Sequence, residues 1–205
     1  MASGDTKLSI CSDALILLGA SPLSSFSEGT DAAQICDRIY DDLKDSIISA
    51  YPWSWSIKKV QLARLTETPV SEWKYLYQLP GDTLAGVKAV FNSSNPGIRP
   101  ISHGWEIIGS QLQTSEEEIW VDYQFSPNEA LLPTYFVQLL KYAMSAEIAE
   151  AVTDQLTKAQ YFEQKAYGTP SENRRGGYMR VAMNIDGGSK HAERIEDFPL
   201  IAVRG

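Results

Sequence analysis

Tyr51-Pro52-Trp53-Ser54-Trp55-Ser56-Ile57-Lys58-Lys59 and Trp73-Lys74-Tyr75-Leu76-Tyr77-Gln78-Leu79-Pro80-Gly81-Asp82 hold three of the five tryptophans of this 205-residue chain, all close to prolines. Large rings are costly to leave in water, and an indole N–H needs a partner once it is buried. A segment so rich in them is expected to set how a helical part of the chain meets a strand-rich part.

Upstream the pattern is helical. Leu8, Cys11, Leu15 and Leu18 recur at helical spacing and predict a first helix over 5–18. Gly19 ends it, because glycine takes the left-handed conformation at low cost. Residues 20–29 read as a loop, with Leu23 and Phe26 folding back on the helices. A second helix starts at Thr30 or Asp31, either a fair N-cap, and Pro52 stops it. Ala32, Ile35, Ile39, Leu43 and Ile47 are its expected buried stripe. Its other face carries Asp37, Asp41, Asp42, Lys44 and Asp45.

Downstream the period changes to two. Residues 60–65 alternate apolar and polar, as a half-buried strand does. Similar runs follow at 75–79, 87–91, 105–108 and 119–125, with turn residues between them. Helix returns after Pro127, where residues 132–148 carry an apolar face wide enough for burial on more than one side. A last helix is expected over 154–167, stopped by Gly168-Thr169-Pro170.

The resulting expectation is an α+β chain: a bundle of about four helices, an inserted small antiparallel β element and an extended C-terminal arm. The divisions are 1–56 (N-terminal helices), 57–125 (β-rich insertion), 126–170 (C-terminal helices) and 171–205 (arm). The arm is flexible by composition at Asn173-Arg174-Arg175-Gly176-Gly177 and Asp186-Gly187-Gly188-Ser189. It also carries Tyr178, Met179, Val181, Met183, Ile185, Phe198, Leu200, Ile201 and Val203, more apolar groups than a free tail holds. They either cover their own domain or order on a neighbouring subunit or another ring.

Composition narrows the functional classes. Hydrophobic residues at 43% and charged residues at 21% describe a globular chain able to bury a core without staples. A net charge of -8 argues against gripping nucleic acid through a basic face. It allows an acidic lumen past which DNA slides. Cys11 and Cys36 fall in helical apolar patterns and read as small buried hydrophobes, which fits a reducing compartment. No long apolar run predicts a membrane span, and Met1-Ala2-Ser3-Gly4-Asp5 lacks the pattern of a signal peptide. Assembly in a cytoplasm is the expectation.

Phosphate loops and dinucleotide fingerprints are missing, so no cofactor is expected. His103 and His191 each sit in an expected loop without a second ligand at metal spacing. Carboxylates are the only catalytic raw material in quantity. Glu116-Glu117-Glu118 precedes a strand with Trp120, Asp122 and Tyr123, and Glu117 with Asp122 could serve a glycan hydrolase that uses paired acids. An acidic turn leading into a strand is the plainer reading. Asp41, Asp42 and Asp45 face either solvent or the lumen of a ring. Lys58-Lys59 and Arg174-Arg175 are the most basic local spots, too small for a nucleic-acid stripe and suited to an acidic protein surface.

Several blocks in order resemble the head-to-tail adaptor (connector) family of tailed bacteriophages, the tail tubular protein A type. They are Cys11-Ser12-Asp13-Ala14-Leu15-Ile16-Leu17-Leu18-Gly19, Pro22-Leu23-Ser24-Ser25-Phe26, the second helix with Cys36 and Tyr40, the Trp-Ser run at Trp53, Tyr75 through Asp82, Tyr123, and the helix over 132–153. The resemblance implies a structural virion protein in the neck. It implies a homo-oligomeric ring of twelve copies under the portal protein, a platform for the next tail protein, and double-stranded DNA passing through the centre without specific binding. It implies no catalytic residue. Portal and subunit contacts fall on Arg174, Arg175, Tyr178, Met179, Phe198, Leu200 and Ile201. Deletion after about Pro170 is expected to spare the fold and abolish docking.

Overall fold

A computed structural model of the chain describes residues 4–95 and 97–188. It is a mixed helix-and-sheet, α+β structure, with five α-helices and two three-stranded antiparallel sheets among the described residues.

Helix α1 runs Lys7–Leu18. Thr6 caps it: its Oγ1 accepts from the Ser9 N–H, and Ser9 Oγ accepts from the Thr6 N–H. Gly19 closes it at φ 80°. Helix α2, Asp31–Ala50, is capped by the Thr30 hydroxyl, which accepts from the Ala33 N–H. Its buried line is Ala33, Cys36, Tyr40, Leu43, Lys44 and Ile47. The expected Ala32, Ile35 and Ile39 are only half-buried flanks of that line. Leu43 and Ile47 are buried as expected, and at the N-terminal half the buried line is turned by one residue. Cys36 and Tyr40 also bury apolar surface, and Lys44 enters because Glu129 pairs with it at 2.8 Å.

Helix α3, Thr134–Thr153, is the hub, touching α1, α2, α4 and α5. Its buried Phe136, Val137, Leu139, Leu140, Ala143, Met144, Ile148 and Ala149 are spread around the cylinder, as the width of its apolar face predicts. Helix α4 spans Leu156–Tyr167.

The arm is corrected in part. A short 3-10 turn, Pro170–Glu172, leads into helix α5, Gly177–Gly188. Met179, Ala182 and Asp186 of α5 are buried. Tyr178, Met179, Ala182, Met183 and Asp186 fall at helical spacing, so the segment has a face to bury despite its glycines. Residues 171–188 therefore belong to the folded body, and a cut after Pro170 removes core side chains. Phe198, Leu200 and Ile201, together with His191, lie outside the described residues.

The strands are β1 (Ile57–Gln61), β2 (Tyr75–Gln78), β3 (Val87–Phe91), β4 (Trp105–Ile108), β5 (Gln111–Thr114) and β6 (Trp120–Gln124). They order as β1-β6-β3 and β2-β5-β4. Strand β1 begins and ends earlier than the alternation over 60–65 suggests, and residues 62–65 lie beyond it. Lys58 and Lys59, read as a basic spot for a partner, instead lie with their ammonium groups 3.6 Å from the Phe125 and Phe91 ring centroids. Strand β5, Gln-Leu-Gln-Thr, has too little apolar content to read as a strand and is held by partners on both sides. The sheets share one apolar cluster that includes Tyr77, Val90, Leu112, Ile119, Val121 and Tyr123.

Candidate interaction surfaces

The tryptophan run forms the joint between helices and sheets. Trp53 is fully buried, and its Nε1 donates to the Ile47 carbonyl at 3.2 Å. Its ring meets Tyr51 and Phe136 edge-on at 4.8 and 5.3 Å and stacks beside Trp55 at 5.9 Å. Gln124, at the end of β6, donates through Nε2 to the carbonyls of Ile48 at 2.7 Å and Tyr51 at 2.8 Å. The end of α2 is thereby bound to the end of a strand.

Asp186 closes the joint from the far end of the chain. Its carboxylate, 1% exposed, accepts from the Ser54 N–H at 3.0 Å, the Ser54 hydroxyl at 2.7 Å and the Tyr135 hydroxyl at 2.9 Å. Burial and the bond to Asp186 push the Tyr135 hydroxyl pKa up. A second clamp joins the two signature blocks. Tyr123 Oη donates to Asp82 Oδ1 at 2.9 Å, and Lys58 reaches Asp82 Oδ2 at 3.0 Å. Lys58 and Tyr123 hold the Asp82 carboxyl below its ordinary range. Burial, then Asp82, push Tyr123 up to about 12.

The acids expected to line a lumen have separate roles. Asp41 pairs with Lys7 at 2.9 Å, and Asp45 accepts from the Ser126 hydroxyl at 2.6 Å. Asp42 is exposed and borders a shallow hollow with Arg38, Ile39, Leu43 and Glu147.

The basic loop before α5 is built on tight backbone. Gly168 sits at φ 80°, and a Cβ there would lie 2.7 Å from the Gly176 Cα. Asn173 and Arg174 are both left-handed, at φ 50° and 59°. The Arg174 guanidinium stacks 4.1 Å from the Tyr167 ring centroid and lies 3.9 Å from Glu147. Arg175 is exposed. Tyr178 is half-buried against the edge of Tyr142. Met179, expected as a docking contact, is 2% exposed and serves its own core.

Lys58 and Lys59 are engaged within the chain, Lys59 with Asp122 at 3.5 Å. Glu117, the other acid of the hydrolase reading, is exposed and receives the Tyr75 hydroxyl at 3.4 Å. His103 is exposed beside the Ser102 hydroxyl. Among the described residues, no group of three His, Cys, Asp or Glu is placed to hold a metal ion, and no helix is long and apolar enough to cross a membrane. Cys11 and Cys36 are buried free thiols. The Cys11 thiol is pushed up by its bond to Cys36 and by burial, while Cys36 is drawn down by the same bond.

Two of the four sheet edges are covered by the chain itself. The Ile101 N–H donates to the Val90 carbonyl on β3 at 2.8 Å, and the Leu65 N–H donates to the Leu76 carbonyl on β2 at 2.8 Å. Among the described residues, β1 and β4 have no strand on their outer sides.

The sequence reading missed Asp186, Gln124 and Ser54 as positioning residues. Only the helical spacing from Tyr178 to Asp186 carried a signal for the first of them. No protein-family model matches the chain, and no curated protein shows significant sequence similarity to it.

Proposed function

We propose that the chain is a head-to-tail adaptor of a tailed bacteriophage, a structural virion protein that forms a ring between portal and tail. DNA passes through the centre of that ring. The supporting observation is the ordered set of resembling blocks, centred on Trp53 and on Tyr75 through Asp82. Tyr123, another of those blocks, has Asp82 as its partner, and Trp53 sits at the joint of helices and sheets.

In this reading the helices act as a bundle whose outer surfaces meet sister copies. Among the described residues, Ile16, Leu17, Leu131, Leu156, Tyr161, Val181 and Ile185 are large apolar groups that the helical body leaves exposed. Repeated head-to-tail contacts close into a ring when the rotation per subunit divides a full turn, and twelve copies are proposed. A net charge of -8 disfavours adhesion of the passing duplex. The docking arm is moved to the segment after Gly188, where Phe198, Leu200 and Ile201 supply apolar contacts to the portal. In this reading Arg175, exposed, and Arg174, drawn from its contacts with Tyr167 and Glu147, meet an acidic partner surface. The portal is the surface on which the ring forms, so the isolated chain is a monomer or weak oligomer.

Mass measurement with and without purified portal tests this. A twelve-copy ring that appears only with portal is the expected result. A stable ring without portal would remove the sequential step, and absence of the chain from purified virions would end the adaptor reading.

A further inference from the structure

Many cations of the chain are engaged inside it. Lys7, Lys44, Lys58, Lys59 and Lys141 each have a carboxylate within 3.5 Å. Arg174 and Arg175 differ. Arg175 is exposed and has no carboxylate at ion-pair distance among the described residues. Arg174 reaches Glu147 only at 3.9 Å, with 60% of its side chain exposed.

The two arginines border a hollow of about 390 Å³ between α2 and α5. Ile47, Ala50, Tyr167 and Met179 line it with them, and no carboxylate is among its lining residues. Ile47, Tyr167 and Met179 are buried, so its base is largely apolar. A second hollow, about 730 Å³, shares Tyr167, Asn173 and Arg174 with the first. The Arg174 guanidinium, stacked 4.1 Å from the Tyr167 ring centroid, is a wall common to both. Glu163 borders the second hollow and not the first.

The backbone that carries the arginines is strained and fixed. Among the described residues, Asp154, Asn173 and Arg174 are the non-glycine residues with positive φ, and the last two are consecutive, at 50° and 59°. Such conformations persist where neighbours over-determine them, and they cluster at ligand clamps. Here Glu172 accepts from the Thr169 N–H at 2.9 Å and pairs with Arg180 at 2.8 Å. The Arg175 N–H donates to the Glu172 carbonyl at 2.9 Å, and the Gly176 N–H to the Tyr167 carbonyl at 2.9 Å. A loop held in this way is ordered before a ligand arrives, which lowers the cost of binding.

We infer that this hollow is a docking site for an acidic peptide segment of a partner protein, in which a carboxylate adjoins a large apolar side chain. The carboxylate meets Arg175 first. Arg174 exchanges its long, exposed contact with Glu147 for a bidentate bond to the same segment, because guanidinium and carboxylate geometries match. As it leaves the Tyr167 ring, it opens that ring face to the apolar side chain, which lies against Ile47, Ala50 and Met179. The volume falls within the range of ligand pockets, about 300–1,000 Å³. A net charge of -8 repels acidic peptides from the rest of the surface, so retention depends on this spot. The inference deepens the docking role given above to Arg174 and Arg175 and rests on that reading for the partner's place in the assembly.

The test is fluorescence polarisation of a fluorescein-labelled peptide, Gly-Ser-Gly-Glu-Phe-Glu-Phe amide, with the isolated full-length chain. Arg175→Gln is expected to weaken binding about tenfold or more, the loss of a hydrogen bond to a charged group, with an unchanged melting midpoint. Arg174→Gln should weaken it as well. Arg38→Gln, an exposed cation elsewhere on α2, should leave it unchanged. Peptides with glutamine for glutamate, or glycine for phenylalanine, should each bind about tenfold more weakly. Equal affinity of the wild type and Arg175→Gln overturns the proposal. So does equal affinity of either substituted peptide, or no saturable binding. No portal or ring enters the experiment, so its failure removes this site and leaves the adaptor reading to the virion test.

Discussion

Asp186 and Ser54 stand 132 residues apart in sequence, and the Ser54 hydroxyl donates to the Asp186 carboxylate at 2.7 Å. This pair ties the last described helix to the turn between α2 and β1. The carboxylate is buried and also satisfies the Ser54 N–H and the Tyr135 hydroxyl, so it holds three elements at once.

Replacing Asp186 by Ala leaves those donors without their acceptor in a dry site. The expected loss of stability is about 2–4 kcal/mol, because hydrogen bonds to charged groups are stronger than neutral ones and stranded donors add a desolvation cost. Urea unfolding measures it. A change under about 0.5 kcal/mol, the range of ordinary surface substitutions, would mean that the joint does not depend on Asp186.

Truncation at two points separates the folded body from the C-terminal segment beyond Gly188. A chain ending at Gly188 keeps Met179 and Ala182 in the core, and is expected to unfold cooperatively near the full-length midpoint. A chain ending at Pro170 exposes the surface that these residues cover on α3 and α4, and is expected to lose several degrees or fail to fold. Thermal melts of both would show it, and equal midpoints would place α5 outside the cooperative unit.

Gly168→Ala is expected to destabilise by about 1–3 kcal/mol, since it combines a strained conformation with a clash. The position has φ 80° and ψ -162°, a region nearly closed to side-chain-bearing residues, and the new methyl would meet the Gly176 Cα at 2.7 Å. Gly19→Ala gives the comparison, because Gly19 has a similar φ and open space around it. Gly168→Ala should cost more in denaturant melts. The reverse order would show that both the backbone strain and the crowding at the basic loop are relieved cheaply.

The Tyr123–Asp82 clamp has a pH signature at each end. Asp82 has a depressed folded pKa, so its contribution is present above the unfolded carboxylate value of about 4. It is lost as pH falls through the folded value. Tyr123 is raised to about 12, so its contribution is present below the unfolded value and is lost as pH rises through that range. Exposure of Asp82 keeps the acid-side effect small. Relative to wild type, Tyr123→Phe should flatten the alkaline loss of stability, and Asp82→Asn should reduce both. Unchanged alkaline slopes in the two variants would dissolve the clamp.

Much of the fold was readable because it is local. Thr30 starts a helix with its own hydroxyl, and Gly19 ends one with its own φ. Residues 87–91 and 105–108 form strands where alternation places them. The reading failed where a side chain's partner lies far along the chain. Strand β5 has little apolar content and exists because β2 and β4 bracket it. Lys58 and Lys59 join β1 because Phe125 and Phe91 receive their ammonium groups. Residues 177–188 looked loose by the glycines at either end, and they form a helix whose apolar side docks on α3 and α4.

The candidate surfaces divide in the same way. Trp53 as a structural ring at the joint was legible, because a tryptophan between a helix stop and a strand has little other use. Met179 as core and Asp186 as a latch were not. Caps, stops and periodicity are written in residues a few positions apart, so the amino-acid order determined where helices and most strands lie. Which acids are paired, which edges are open and which apolar groups remain outside depend on contacts across more than a hundred residues, and only the packed chain decides those.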